Sequence, residues 1–311
     1  MERQSQGEVH PMKSKHKGIL LAIIAAFLWG IMGIFVRVAR ASIGPLEISF
    51  FRCIITGLVF LLFLAVTKPS ALRVSGKGLL VCILYGAVAY SLSFTTYSLA
   101  VIRLPVAVAT ILMYLSPVWV TLLSVLVFHD KPRKNGILAI VICLAGAVFS
   151  ADLLSMGQVR LDPLGILMGI VNGFGMALQI LIPRYFADRY SKDTMLVYGF
   201  LGAALALSFF VDFGQIGTAL TADSRLEFLA AILMLSILCT MVANISYVKS
   251  SDYITASESS ILGALEVVVG SLAGFLVYHE QLKPLQLLGM VLVIGGAIIS
   301  QMPEKNLARR R

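Results

Sequence analysis

The stretch SSILGALEVVVGSLAGFLVYHEQ, residues 259–281, carries one carboxylate, Glu266, near the middle of an otherwise almost wholly apolar run. A carboxylate so placed can pair with a cationic group of a ligand. It can also hold and release a proton as its surroundings alternate between wet and dry, because burial disfavours the charged form. A third reading is a neutral carboxylic acid hydrogen-bonded to a neighbouring helix. Polar residues recur in the other apolar runs: Asn172 and Gln179 seven apart, Asn244 and Tyr247 three apart, Tyr90 and Tyr97 seven apart. At those spacings each pair shares one helix face. Each can therefore line a cavity or serve as glue between helices, worth about 0.6 kcal/mol per hydrogen bond. Trp29 lies mid-run, away from the run ends where an interfacial tryptophan sits, so cavity lining and packing are both open to it. Tyr114 and Ser116 stand beside Pro117, where a helix should bend.

The elements that position these residues follow from bulk properties. The chain has 311 residues, of which 59% are hydrophobic and 13% charged, with mean hydropathy +0.92. A soluble domain carries about 25% charged residues. The apolar material comes in blocks of about 18 to 25 residues, long enough to cross a hydrocarbon layer about 30 Å thick as helices and wrong for barrel strands. The expected fold class is an all-α integral membrane protein with ten spans: 18–39, 45–66, 78–101, 106–128, 135–151, 163–183, 194–212, 227–248, 256–278 and 284–301. Short loops leave no room for a soluble catalytic domain. Glu266 is the eleventh residue of its span, near the bilayer midplane, where a charge costs about 2.5 to 3.5 kcal/mol and cannot snorkel out. It should face the bundle interior. Arg52 lies about seven residues into the second span, roughly 10 Å deep; it can snorkel to the outer headgroups or touch a substrate or counter-ion.

With the N-terminus inside, 18 of the 25 lysines and arginines fall in inner segments, so the positive-inside rule places both termini in the cytoplasm. The net charge of +9 is then topology and lipid anchoring rather than a nucleic-acid surface. The first apolar run is too long for a signal peptide and lacks a small-residue cleavage site. Cys53, Cys82, Cys143 and Cys239 stand singly in four spans, which indicates neither a disulfide framework nor a thiolate metal site.

The chain also matches itself. A shift of 150 positions lays FTTYSLAVIRLPVAVATILMYLSPVWVTLLSVLVFHD over NISYVKSSDYITASESSILGALEVVVGSLAGFLVYHE without a gap, Tyr97 on Tyr247 and His129-Asp130 on His279-Glu280. A shift of 147 lays GILLAIIAAFLWGIMGIFVR on GILMGIVNGFGMALQILIPR, Arg37 on Arg184. Two five-span halves make an inverted repeat, the common architecture of secondary transporters. The expected organisation is an N-terminal tail 1–17, a first repeat 18–151, an external linker 152–162, a second repeat 163–301 and a basic tail 302–311. His129, His279, Asp130 and Glu280 read as helix-end polar trim.

The segments AAFLWGIMGIFVR, PLEISFFR, YLSPVWVTLLSVLVFHD and LGALEVVVGSLAGFLVYHEQLKPLQLLGMVLVIGGAII, in this order and over nearly the whole chain, resemble the EamA-type members of the drug/metabolite transporter superfamily. The resemblance implies ten helices and a central cavity lined by helices 1, 3, 4, 6, 8 and 9. It also implies transport of small metabolites, often amino acids, without ATP hydrolysis. The chain departs from the pattern at Glu266-Val267, where such proteins often carry Glu-Pro, so the ninth helix must bend, if at all, through Gly263 and Gly270. The sequence holds no G-x-S-x-G, H-E-x-x-H or P-loop, so it is read as no enzyme, needing no cofactor or metal. Its partners are then the lipid bilayer and a small-molecule substrate, with a proton on Glu266 as a coupling ion to consider. A channel or membrane sensor is the alternative.

Overall fold

The computed structural model describes residues 12–151 and 162–302. Most of the linker 152–162, the tail beyond Met302 and residues 1–11 lie outside the described residues. Ten helical rods follow one another. Helix α1 is Met12–Gly30 continued by Met32–Ala39, α2 is Pro45–Thr67 and α3 is Gly76–Arg103. Helix α4 is Val106–Met113 with Ser116–Phe128, and α5 is Lys134–Ser150. Helix α6 is Pro163–Tyr185, α7 is Lys192–Leu207 and α8 is Arg225–Ser250. Helix α9 is Ala256–Gly263 with Glu266–Tyr278, and α10 is Pro284–Gln301. Eight of these are long and apolar enough to cross a membrane, whereas α5 has 17 residues and α7 has 16. No strand occurs among the described residues.

Local chemistry sets the helix ends. Proline opens α2, α6 and α10, a position where its missing N–H costs nothing. The Asp162 carboxylate accepts from the Leu164 N–H at 2.9 Å, and Thr255 with Glu258 forms a capping box on α9, each satisfying amides the helix leaves orphaned. At their C-termini α4 and α9 both stop on a histidine in the left-handed region, His129 at φ 57° and His279 at φ 56°. There Asp130 N–H reaches Ser124 O at 3.2 Å and Glu280 N–H reaches Gly274 O at 3.3 Å, which closes the last turn. The histidines expected as polar trim are thus the helix stops.

Helix α1 packs on α8 and α9, α6 packs on α3 and α4, α2 on α7, and α5 on α10. Small residues let the backbones approach, as helices in lipid require when lipid is as apolar as leucine. A Cβ on Gly86 of α3 would strike the Gly199 carbonyl of α7, and one on Gly146 of α5 would meet the Gly289 carbonyl of α10 at 2.7 Å. The largest sealed side chains, among them Phe60, Tyr90, Phe200 and Leu196, fill the space between α2, α3 and α7.

Three features differ from the sequence reading. Helix α7 ends at Leu207, short of 212, and a helix Phe213–Thr221 follows where no element is expected. Its nine residues cannot span a bilayer. Asp212 starts it by accepting from Gly214 N–H at 2.8 Å, while the Glu47 carboxylate takes the Asp212 N–H at 2.9 Å. Helix α4 breaks at Tyr114-Leu115, where a bend is expected, and α9 breaks at the matching Ala264-Leu265, directly after Gly263, while the bend also expected at Gly270 does not occur. Proline is therefore not what breaks both helices, and the absent Pro at Val267 costs the pair no symmetry. Finally, α3 and α8 each contain a wide π-helical turn, Gly86–Ser91 and Ile237–Val242.

The ion pairs sort by end of the bundle. One end holds Arg133 and Lys15 on Glu258, Arg184 on Asp130, Lys68 and Lys249 on Asp193, and Lys192 on Asp252. The other holds Arg37 on Glu280 and Arg103 on Asp162. The Arg103 guanidinium, with the Leu164 N–H, holds Asp162 below the usual carboxylate range.

Candidate functional site

A cavity of about 410 Å³ lies at the centre of the bundle, between α1, α3, α4, α6, α8 and α9, with Arg52 of α2 and Ser150 of α5 completing its wall. The breaks in α4 and α9 face each other across it. Glu266 is the first residue of the second half of α9, and Tyr114 is the residue directly after the first half of α4. The Tyr114 hydroxyl donates to the Glu266 carboxylate, which is only partly covered and faces the cavity. A half-helix beginning at Glu266 also directs its positive dipole end at the carboxylate.

The structure brings most of the expected residues together. Glu266, Tyr97, Tyr114, Trp29, Asn172, Gln179 and Asn244 all line the cavity. Tyr247 and Ser116 line a small recess continuous with it, which shares Trp29, Tyr114 and Glu266; there the Tyr247 ring lies 4.9 Å from that of Trp29. Tyr97 hydrogen-bonds Thr110 at 3.4 Å. Of the amides on the wall, Asn172 bonds to another helix, α3, while the bond that Asn244 donates stays within α8. Asn172 donates to Ser93 O at 2.7 Å and to Ser93 Oγ at 3.0 Å, and Asn244 donates to Thr240 O at 2.8 Å. The Nε2 of Gln179 and the Oδ1 of Asn172 have no hydrogen-bond partner among the described residues.

Two residues stand elsewhere than expected. Tyr90 is off the cavity and fully buried in the core, with its hydroxyl on Asn244 Oδ1 at 3.3 Å and its ring 4.5 Å from that of Phe200. The π-helical turn through residues 86–91 rotates it out of register with Tyr97. Arg52 does not snorkel. It is 9% exposed, its Nε donates to Thr240 Oγ1 at 2.9 Å, and its guanidinium lies 4.6 Å over the Phe94 ring, on the cavity wall. The sequence signal for this was the stripe Ser49, Arg52, Thr56, spaced three and four apart and buried throughout, which marks the inward face of α2.

The cavity opens toward the end of the bundle where Gly33, Ser271 and Ala151 lie. Toward the other end it is stopped. Thr121 of α4 meets Ser257 of α9 at 2.8 Å, Val120 and Ile261 are sealed, and Glu258 ties α9 to Arg133 and Lys15. Beyond that plug lies a separate hollow of about 580 Å³ lined by charged groups including Lys15, Asp130, Arg184 and Glu258. Among the described residues no cluster of three or more His, Cys, Asp or Glu side chains could hold a metal. The wall is thus mainly apolar and aromatic, with one carboxylate and one guanidinium.

Known proteins share this organisation. The EamA-like transporter family matches residues 16–151 and 163–302. An uncharacterized transporter of Archaeoglobus fulgidus is 28% identical over 89% of this chain and 94% of its own. The pseudopaline exporter CntI of Pseudomonas aeruginosa is 23% identical over 93% of this chain and 97% of its own. A chain solved by crystallography superposes with a TM-score of 0.75 at 18% identity, covering 92% of this chain and 96% of that one; at that identity the likeness concerns the fold. A bundle of apolar helices around a polar-studded cavity, matched over both of its halves, makes this chain a multi-pass membrane protein that belongs to the EamA-like transporters of the drug/metabolite transporter superfamily.

Proposed function

We propose that the chain is a secondary transporter that moves a small metabolite across the cytoplasmic membrane by alternating access. The observation that carries the reading is a central cavity open at one end and stopped at the other, with Glu266 on its wall at the meeting point of two broken helices. A continuous pore would need both ends open. Ten spans in two inverted repeats supply the second packing: α4 and α9 break at matching positions, α3 and α8 carry matching wide turns, and His129 matches His279. The helix contacts pair off the same way, α1 on α8 with α6 on α3. Exchanging the roles of the halves would close the open mouth and open the plugged one.

The ion-pair-rich end is the cytoplasmic one on this reading, which puts both termini inside and the open mouth outside. Glu266 binds a cationic group of the cargo or carries a coupling proton. Export is a function to consider because CntI is named an exporter. Purified chain in proteoliposomes, given a metabolite mixture with and without an imposed pH gradient, tests the whole reading. Saturable, gradient-sensitive flux is expected, and Glu266→Gln abolishes its pH response. Flux that never saturates would make the protein a channel, and no flux at all would leave it a sensor.

A further inference from the structure

Arg52 is a full positive charge, nine-tenths buried inside a membrane protein. Among the described residues its only hydrogen bond is from Nε to Thr240, and no carboxylate forms an ion pair with it. Among the described residues its two terminal nitrogens have no hydrogen-bond partner, and the residue borders the cavity. An unpaired buried charge is costly, and proteins retain one where something else supplies the opposite charge. Glu266 lines the same cavity without forming an ion pair with Arg52. Thr240 and Phe94 meanwhile fix the guanidinium from behind and from its face, leaving the fork free toward the cavity. That fork matches the two oxygens of a carboxylate.

Resting on the transport reading, we propose that Arg52 is the anion subsite of the cavity. It holds a carboxylate of the cargo in bidentate fashion, while Glu266 and Tyr114 take a cationic nitrogen of the same molecule. The remaining wall, with Trp29, Met113, Met176 and Phe94, suits an apolar side chain carried by the carbon that bears both poles. Glu266 alone would select cations; the pair selects molecules that carry both charges, and Arg52 decides between an acid and its decarboxylated amine.

Calorimetric titration of the full chain in nanodiscs tests this with three probes that differ by one pole each: norleucine with both, hexanoate with the anion only, pentylamine with the cation only. Norleucine is expected to bind tightest. Arg52→Gln weakens norleucine and hexanoate about tenfold or more and leaves pentylamine unchanged, the loss of a charge-assisted pair being worth that much. Arg52→Lys, which keeps the charge and the fold but not the fork, falls between. The proposal is overturned if wild-type chain binds none of the three, if it binds pentylamine as well as norleucine, or if either variant weakens all three alike. Flux of labelled norleucine in proteoliposomes separates the two ideas: charge-selective binding without flux keeps the subsite and sinks the transport reading.

Discussion

Glu258 is the residue whose change should most directly loosen the plugged end. Its side chain is 7% exposed and accepts from Arg133 at 2.7 Å, with Lys15 Nζ at 3.6 Å, while its other oxygen takes the Thr255 N–H at 2.9 Å. Glu258→Gln keeps an oxygen for the capping box and removes the charge that both cations share. Breaking a buried pair costs about 3 to 5 kcal/mol, and an exposed one about 0.2 to 1. Arg133 and Lys15 are 37% and 35% exposed, so solvent screens much of the interaction and about 1.5 kcal/mol is the fitting size. Applied to the equilibrium between plugged and open, that is about tenfold. The assay is the labelling rate of Ser260→Cys, in the recess behind the plug, by a membrane-impermeant maleimide supplied only on the plugged side of sealed, oriented vesicles. Ser260 is 6% exposed, and the four native cysteines are buried and report on global unfolding. Glu258→Gln should raise the Ser260→Cys rate about tenfold with the native cysteines still silent. An unchanged rate, or a rise in step with the native cysteines, would refute the view that this ion cluster holds the end shut.

Tyr97→Ala and Tyr247→Ala should each lower flux much more than they lower folded protein in the membrane; equal losses, measured by flux against fluorescence-detected size exclusion, would make both rings packing residues. Gly86→Ala drives a methyl into the Gly199 carbonyl and should cost about 1 to 3 kcal/mol, seen as a lower Tm in detergent, with an unchanged Tm counting against the tight seam. Because the folded Asp162 carboxylate titrates below its usual 3.8, its contribution is complete above that value and is lost as pH falls through the depressed one; exchange of the Leu164 amide should quicken over that acid window, and Asp162→Asn should flatten the dependence.

The helices and their order were readable because apolar runs of span length have few other fates, and a repeat was expected because polar positions recur at two nearly equal offsets, 150 and 147. Depth along a helix was readable too, since it is a count of residues. Azimuth was not. Arg52 is shallow enough to snorkel, and only its stripe with Ser49 and Thr56 tells that it turns inward. Tyr90 was misplaced because seven-residue spacing means one face only in a regular helix, and the wide turn at 86–91 breaks that rule without any proline to announce it. A bend in α9 was expected through Gly263 and Gly270 and falls at the first of them, whereas the helix Phe213–Thr221 is too short to register as a span and too apolar to register as a loop.

The backbone contacts at Gly86 with Gly199 and Gly146 with Gly289 leave α3 against α7 and α5 against α10 no room to slide. Motion must then fall chiefly to α4 and α9, each moving with the helix seamed to it, α6 at Gly173 and α1 at Gly30. This divides the molecule into a chassis and a set of leaves. Side chains on the leaves and on the inner stripe of α2 can be exchanged for a new cargo without disturbing the seams. A library that varies Trp29, Arg52, Tyr97 and Glu266 should accordingly yield folded proteins at a far higher rate than one that varies the same number of seam glycines.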